Sequence, residues 1–206
     1  MTSGYFLAIR RFFWGVALFS AAIGAAPSAA QFGSPGYRFL EAVRDRDGTK
    51  VTEFLDQSAI IVNTREGQSG QTALLIVTER RDLVWIRFML GRGADANIAN
   101  RAGMTPLIQA AQLAFVEGAS ALLAGGARVN ASSANGETAL HVAVHRRDLA
   151  MVRVLIAAGA NPDIQDNITG QSPRDYARRD PRAAAVLTAL DEPPTAPAAA
   201  RPAGPN

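Results

Sequence analysis

Along the middle of the chain, apolar residues return at spacings of three and four. Leu83, Ile86, Met89 and Leu90 make one such stripe, and Leu149, Val152, Leu155 and Ile156 make another. That period marks helices that bury one face. Gly93, Gly126 and Gly159 follow these stretches, where a helix C-terminus tolerates positive φ. A second set of segments opens on a small hydroxyl residue: Thr72, Thr105, Thr138 and Ser172. Each can N-cap a helix, and Pro106 and Pro173 stand at N1, where a missing N–H is harmless. The pattern predicts short helices in pairs.

The pairs repeat. Gly70, Gly103 and Gly136 are 33 residues apart and Gly170 follows 34 later, opening the strings GQTALLIV, GMTPLIQA, GETALHVA and GQSPRDYA. Gly93-Ala94-Asp95, Gly126-Ala127-Arg128 and Gly159-Ala160-Asn161 keep the same period. Two markers in step imply a repeat architecture. In these residues the chain resembles the ankyrin-repeat family, whose hallmark is T-P-L-H-x-A within 33 residues. Thr138-Ala139-Leu140-His141-Val142-Ala143 matches it with Ala for Pro, and Thr105-Pro106-Leu107 matches its front, with Ile108 in the histidine slot.

The resemblance spans about residues 37–190. It implies an all-α solenoid of helix–turn–helix units with hairpin-like fingers, about five units including caps. We divide the chain into a capping repeat over 37–66, repeats over 67–99, 100–132 and 133–166, and a C-terminal cap over 167–190. A single helix pair cannot cover its own apolar stripe, so neighbouring units must stack. The ends depart from the pattern. Residues 37–66 lack the threonine motif but keep Phe39, Leu40, Ala42, Val43, Val51, Phe54 and Leu55 at helical spacing, followed by a longer finger from Ile60 to Glu66. Asp180 and Pro181 can cap and start a last helix over 182–190.

Outside this array, Arg10 and Arg11 precede an uncharged run from Phe12 to Ala26, and small residues follow to Ala30. This reads as an export signal over 1–30, cut after Ala30, with 31–36 as a linker. At about 1.5 Å per residue the run covers about 22 Å, short of the roughly 30 Å hydrocarbon core. The general secretory and twin-arginine routes both stay open. Residues 191–206 carry five prolines and little to bury, which predicts a disordered tail or spacer. The implied compartment is periplasmic or extracellular, with no stable membrane insertion once the signal is removed.

Composition narrows the chemistry. Outside the leader, nineteen Lys and Arg face eighteen Asp and Glu, which argues against a nucleic-acid partner. No cysteine is present, so disulfides, thiolate metal sites and Cys nucleophiles are excluded. Twenty of the 21 basic residues are Arg, as in proteins of GC-rich bacterial genomes. Glu137, His141 and His145 stand four apart, the spacing of a helical metal face. But Glu137 precedes the Thr138 cap, and the resemblance commits His141 to hydrogen bonds within and between repeats. No Walker loop or nucleophile elbow occurs, and no carboxylate pair has acid–base spacing. The reading is a non-enzymatic protein without cofactor or metal.

Arg-Arg-Asp occurs at 80–82, 146–148 and 178–180. Two readings stand side by side: a row of Arg along one edge for an anionic partner, or local capping. In the second, Arg complements one helix C-terminus and Asp N-caps the next helix, which explains the order of the residues and is favoured. Arg81 and Arg147 then need positive φ, at about 1 kcal/mol or more each.

The resemblance also implies a concave surface of finger tips and first helices that binds proteins. The positions after each repeat glycine are Gln71, Met104, Glu137 and Gln171. Those near the end of the first helices are Glu79 with Arg80, Gln112 with Leu113, and His145 with Arg146. Arg101 and Asn135 lie at or beside the finger tips. Trp85 takes a core position, whereas Met104 and Phe115 are candidates for exposure. The favoured function is an exported, monomeric interaction module for a periplasmic or secreted protein. The alternative is an envelope-associated structural protein held by its tail or by anionic surface polymers.

Overall fold

A computed structural model describes residues 33–191. The predicted export signal and the stretch after Asp191 lie outside these residues. Among these described residues ten α-helices run in chain order: α1 (Pro35–Arg44), α2 (Gly48–Gln57), α3 (Ala73–Glu79), α4 (Leu83–Gly91), α5 (Pro106–Gln112), α6 (Val116–Ala124), α7 (Ala139–His145), α8 (Leu149–Ala157), α9 (Pro173–Arg179) and α10 (Ala184–Asp191). Among the described residues there is no strand beyond an isolated bridge between Ser132 and Thr138. Odd-numbered helices pack on one another in one layer, and α4, α6, α8 and α10 form a second. The architecture is the all-α repeat solenoid.

Burial follows from the stacking. A first helix is flanked by neighbours on both sides and by its own partner, so residues 73–78, 106–111 and 139–144 are all buried. A second helix is covered on one face only, and α8 buries Met151, Val152, Leu155 and Ile156. Each buried Leu or Ile contributes roughly 1.5–3 kcal/mol.

The caps act as the sequence requires. The Thr72 and Thr105 hydroxyls accept from the N–H of Leu75 and Ile108, each at 3.3 Å. Asp82 and Asp148 accept from Trp85 N and Met151 N, opening α4 and α8. Between paired helices one residue turns left-handed: Arg46, Arg81, Ala114 and Arg147, with φ from 50 to 59°. That twist lets the next N–H reach back into the first helix, as from Asp82 to Val77 O and from Asp148 to Ala143 O.

Several local readings change. Helix α1 starts at Pro35, capped by Ser34, inside the stretch read as linker. The finger expected from Ile60 to Glu66 begins as a 3-10 turn over Ala59–Asn63, which packs on α1 and α2 and buries Val62 in the core while Ile60 stays 85% exposed. The C-terminal helix opens with a 3-10 turn over Pro181–Ala183, and Asp191 ends α10. Phe115 is buried, not exposed. It occupies the N-cap position of α6 and lies over Gly118, where a Cβ would fall 2.3 Å from its ring. Trp85 is half-buried, edge-on to Phe88 at 5.9 Å.

Candidate interaction surface

The fingers are built from backbone bonds. Within each, one N–H closes onto a carbonyl: Glu66 to Gln71, Asn100 to Met104, Ser133 to Glu137 and Asp166 to Gln171. Neighbouring tips are joined by Arg101 N to Ser69 O at 3.0 Å, Ala134 N to Ala102 O at 3.3 Å and Asn167 N to Asn135 O at 2.8 Å. Gly103 has φ +73° and sits so close to the next finger that a Cβ would lie 2.4 Å from Ala134 N. The repeat glycine is therefore fixed twice, by its dihedral and by its neighbour.

Beneath the fingers, asparagine amides clip one unit to the next. Asn63 Nδ2 donates to Gly93 O and its Oδ1 accepts from Asp95 N. Asn97 bridges Gly126 O and Arg128 N in the same way, and Asn130 bridges Gly159 O and Asn161 N. Sequence reasoning missed this row, although Asn97 and Asn130 stand one period apart. It also missed Asp166, which accepts from Ile168 N, Thr169 N, Thr169 Oγ1 and Tyr176 Oη. These donors, Thr169 above all, hold its carboxyl well below the usual carboxylate range.

His141 is wholly buried in the frame. Thr138 N donates to Nδ1 at 3.1 Å, so Nε2 carries the proton and donates to Gln171 O at 3.3 Å. Burial pushes its pKa down, which keeps the ring neutral. With both nitrogens occupied it offers nothing to a metal. Among the described residues no group of three acidic or histidine side chains could hold one.

The predicted binding residues divide into two sets. Glu79, Arg101, Gln112, Asn135, His145 and Arg146 are exposed; Gln71, Arg80, Met104, Leu113, Glu137 and Gln171 are half-buried. Gln71 Nε2 donates to Glu79 Oε2 at 3.3 Å, linking a finger to the end of its helix. The His145 ring stands edge-on to Tyr176 at 4.1 Å. Met104 and Leu113 pack against the core. Arg101 donates to Gly67 O of the preceding finger.

Arg80 turns inward. Its Nη1 donates to Val43 O at 2.6 Å and Arg44 O at 3.0 Å, capping the C-terminus of α1 in the preceding unit. The guanidinium lies 5.8 Å from the Trp85 ring, with Nε and Nη2 buried and without a hydrogen-bond partner among the described residues. Burial, with Arg46 nearby, lowers its pKa from the ordinary arginine value.

On the second-helix side, an open groove of about 550 Å³ runs between α4 and α6. Its lining combines Leu83, Leu90, Ala121, Ala124 and Gly125 with Arg87, Glu117 and Ser120. These groups do not form a nucleophile–base constellation.

Comparison with known proteins agrees with the geometry. The family model for ankyrin repeats in three copies matches residues 39–133 and 77–166. The chain belongs to the ankyrin-repeat family. It is 33% identical over 141 residues to an ankyrin repeat-containing protein of Treponema pallidum (strain Nichols), covering 68% of this chain and 40% of that protein. It is 31% identical over 144 residues to the mitochondrial disaggregase of Bos taurus, covering 68% of this chain and 20% of that protein. The B-cell lymphoma 3 protein homolog of Mus musculus is 34% identical over 98 residues, 47% of this chain and 22% of its own length. The match thus spans less than half of each relative. Ankyrin repeats are in general protein–protein interaction modules without catalysis of their own. No helix among the described residues is long and apolar enough to cross a membrane.

Proposed function

We propose that this protein is an exported interaction module that binds a periplasmic or secreted protein through its finger and first-helix face. The observation that carries this reading is the row of outward side chains set on a hydrogen-bonded frame: Glu79, Gln112 and His145 at the helix ends, with Arg101 and Asn135 at the finger tips. The row mixes charge, amide and ring, which suits a protein surface better than a uniform polymer. Stacked repeats present such faces as extended concave surfaces.

The test replaces Glu79, Gln112 and Asn135 by Arg together. All three are exposed, so far-UV circular dichroism should be unchanged while in-cell cross-linking to the partner disappears. Undiminished capture would remove this face from consideration. Export is tested separately by fractionation and N-terminal sequencing. A periplasmic or secreted chain beginning at Gln31 is expected, and an intact chain confined to the cytoplasm would overturn it.

A further inference from the structure

The ends of α7 and α9 run side by side and are tied at two points. His145 packs on the Tyr176 ring at 4.1 Å, and Arg147 Nη1 donates to Asp180 Oδ2 at 2.8 Å. Arg146 lies between the first members of these pairs, and Arg178 and Arg179 lie between the second. Arg182 follows after Pro181, its N–H on Asp180 Oδ1. The four side chains of Arg146, Arg178, Arg179 and Arg182 are exposed, and within the described residues none makes a hydrogen bond or ion pair.

The neighbouring carboxylates offset this charge only in part. Asp148 caps α8, Asp175 accepts from Ser172 N and Oγ and lies in the field of Arg178 and Arg179, and Asp180 holds Arg147 and the Arg182 N–H. Nor do the four arginines serve the frame as Arg80 does, whose guanidinium is spent on the carbonyls of α1. The described residues carry eighteen Lys and Arg against seventeen Asp and Glu, so this is a local excess on a balanced surface.

We propose that this edge, formed by Arg146, Arg178, Arg179 and Arg182, receives a short run of acidic residues in the partner protein. The proposal rests on the interaction reading above and adds the chemistry of the ligand. Guanidinium groups pair with carboxylates through two parallel N–H donors. The edge spans two units, and packed helices lie about 8–10 Å apart. That distance matches about three residues of extended chain at roughly 3.3 Å each, so a run of five covers it with one to spare at either end. A long polyanion would need the track to continue. It stops, because the preceding helix end presents Gln112 and Leu113, and Arg80 beyond them is turned inward.

The experiment is fluorescence anisotropy on the full chain with a labelled peptide bearing five consecutive Glu, and with its Gln counterpart. Saturable binding of the Glu peptide only is expected, weakening several-fold between about 50 and 300 mM salt. The R146E/R178E/R179E variant should lose at least about tenfold in affinity, roughly 1.4 kcal/mol. R87E/R128E/R153E carries the same charge change at exposed sites elsewhere and should stay within about twofold. No saturable binding, or equal loss in the two variants, overturns the proposal. So does tighter binding of polyphosphate or an oligonucleotide than of the peptide, which would make the edge a polyanion site. A photo-cross-linker at Gln112 separates the two readings. A protein adduct formed undiminished in R146E/R178E/R179E overturns the edge and leaves the concave face standing. Loss of the adduct in that variant supports the edge, whereas no adduct in the unsubstituted protein counts against the interaction reading while anisotropy still decides the edge.

Discussion

Arg147 and Asp180 stand 33 positions apart in the chain and 2.8 Å apart in space. Arg147 is the left-handed residue of one turn, and Asp180 is the N-cap of the next unit's second element. The relation recurs along the same edge. Arg46 reaches Asp82 at 3.5 Å, and Arg81 lies 5.4 Å from the ring of Phe115, which stands where the other units have Asp.

Each staple is partly exposed, so its free energy is small. In a double-mutant cycle on Arg147→Ala and Asp180→Ala we expect a coupling below about 1 kcal/mol that fades at 1 M salt. Asp180→Ala alone should cost about 1 kcal/mol more than Arg147→Ala, because it also removes the cap on Arg182 N. Urea denaturation measures both quantities. A large, salt-independent coupling would contradict the expectation.

Ala114 holds φ +50° without the ion pair that accompanies the strain at Arg147. Ala114→Gly should therefore stabilise the protein by about 0.5–1 kcal/mol, the left-handed penalty less the entropy of a freer unfolded chain. A higher urea midpoint at constant m-value is the expected result.

Gly103 and Gly93 separate dihedral strain from crowding. Both have positive φ, but only at Gly103 does a Cβ meet the neighbouring backbone. Gly93→Ala should cost about 1 kcal/mol, and Gly103→Ala should cost at least about 2 kcal/mol. Thermal unfolding of the two variants ranks them.

His141 predicts an acid weakness. Its folded pKa is lowered by burial, so the unfolded chain takes up a proton first as pH falls below about 6.5. Stability should decline from about pH 6.5 downward, well before Asp166, whose folded pKa is also depressed, begins to contribute to the loss below about pH 4. His141→Ala should cost about 2–3 kcal/mol at pH 7 by leaving Thr138 N unpaired, removing one of the two donors to Gln171 O and opening a cavity. The same change should flatten the slope of stability between pH 7 and 5. Urea midpoints across that range report both effects.

The repeat, its caps and the turn conformations of Arg81 and Arg147 were legible because each is local. A Thr before an apolar run or a Gly after one carries its own physics. What escaped depended on the neighbouring unit. Arg80 sits at a position that faces outward by register, yet its length lets it reach Val43 O one unit back. Phe115 looked exposed because its shelter, the missing side chain of Gly118, lies within its own helix end rather than in the repeat pattern. The Asn63, Asn97 and Asn130 clips were hidden because an asparagine near a turn ordinarily reads as loop chemistry. On the surface, register orders exposure, but which arginines stay unbonded is set by the acceptors that neighbouring units bring within reach.

The rungs joining Ser69 to Arg101, Ala102 to Ala134 and Asn135 to Asn167 turn the finger tips into a ruler with fixed graduations. A partner meets marks whose spacing was set when the chain folded, and the backbone that carries them has little further ordering to undergo on contact. Adding or removing one unit would lengthen or shorten that ruler by a whole division while leaving every other mark where it stands.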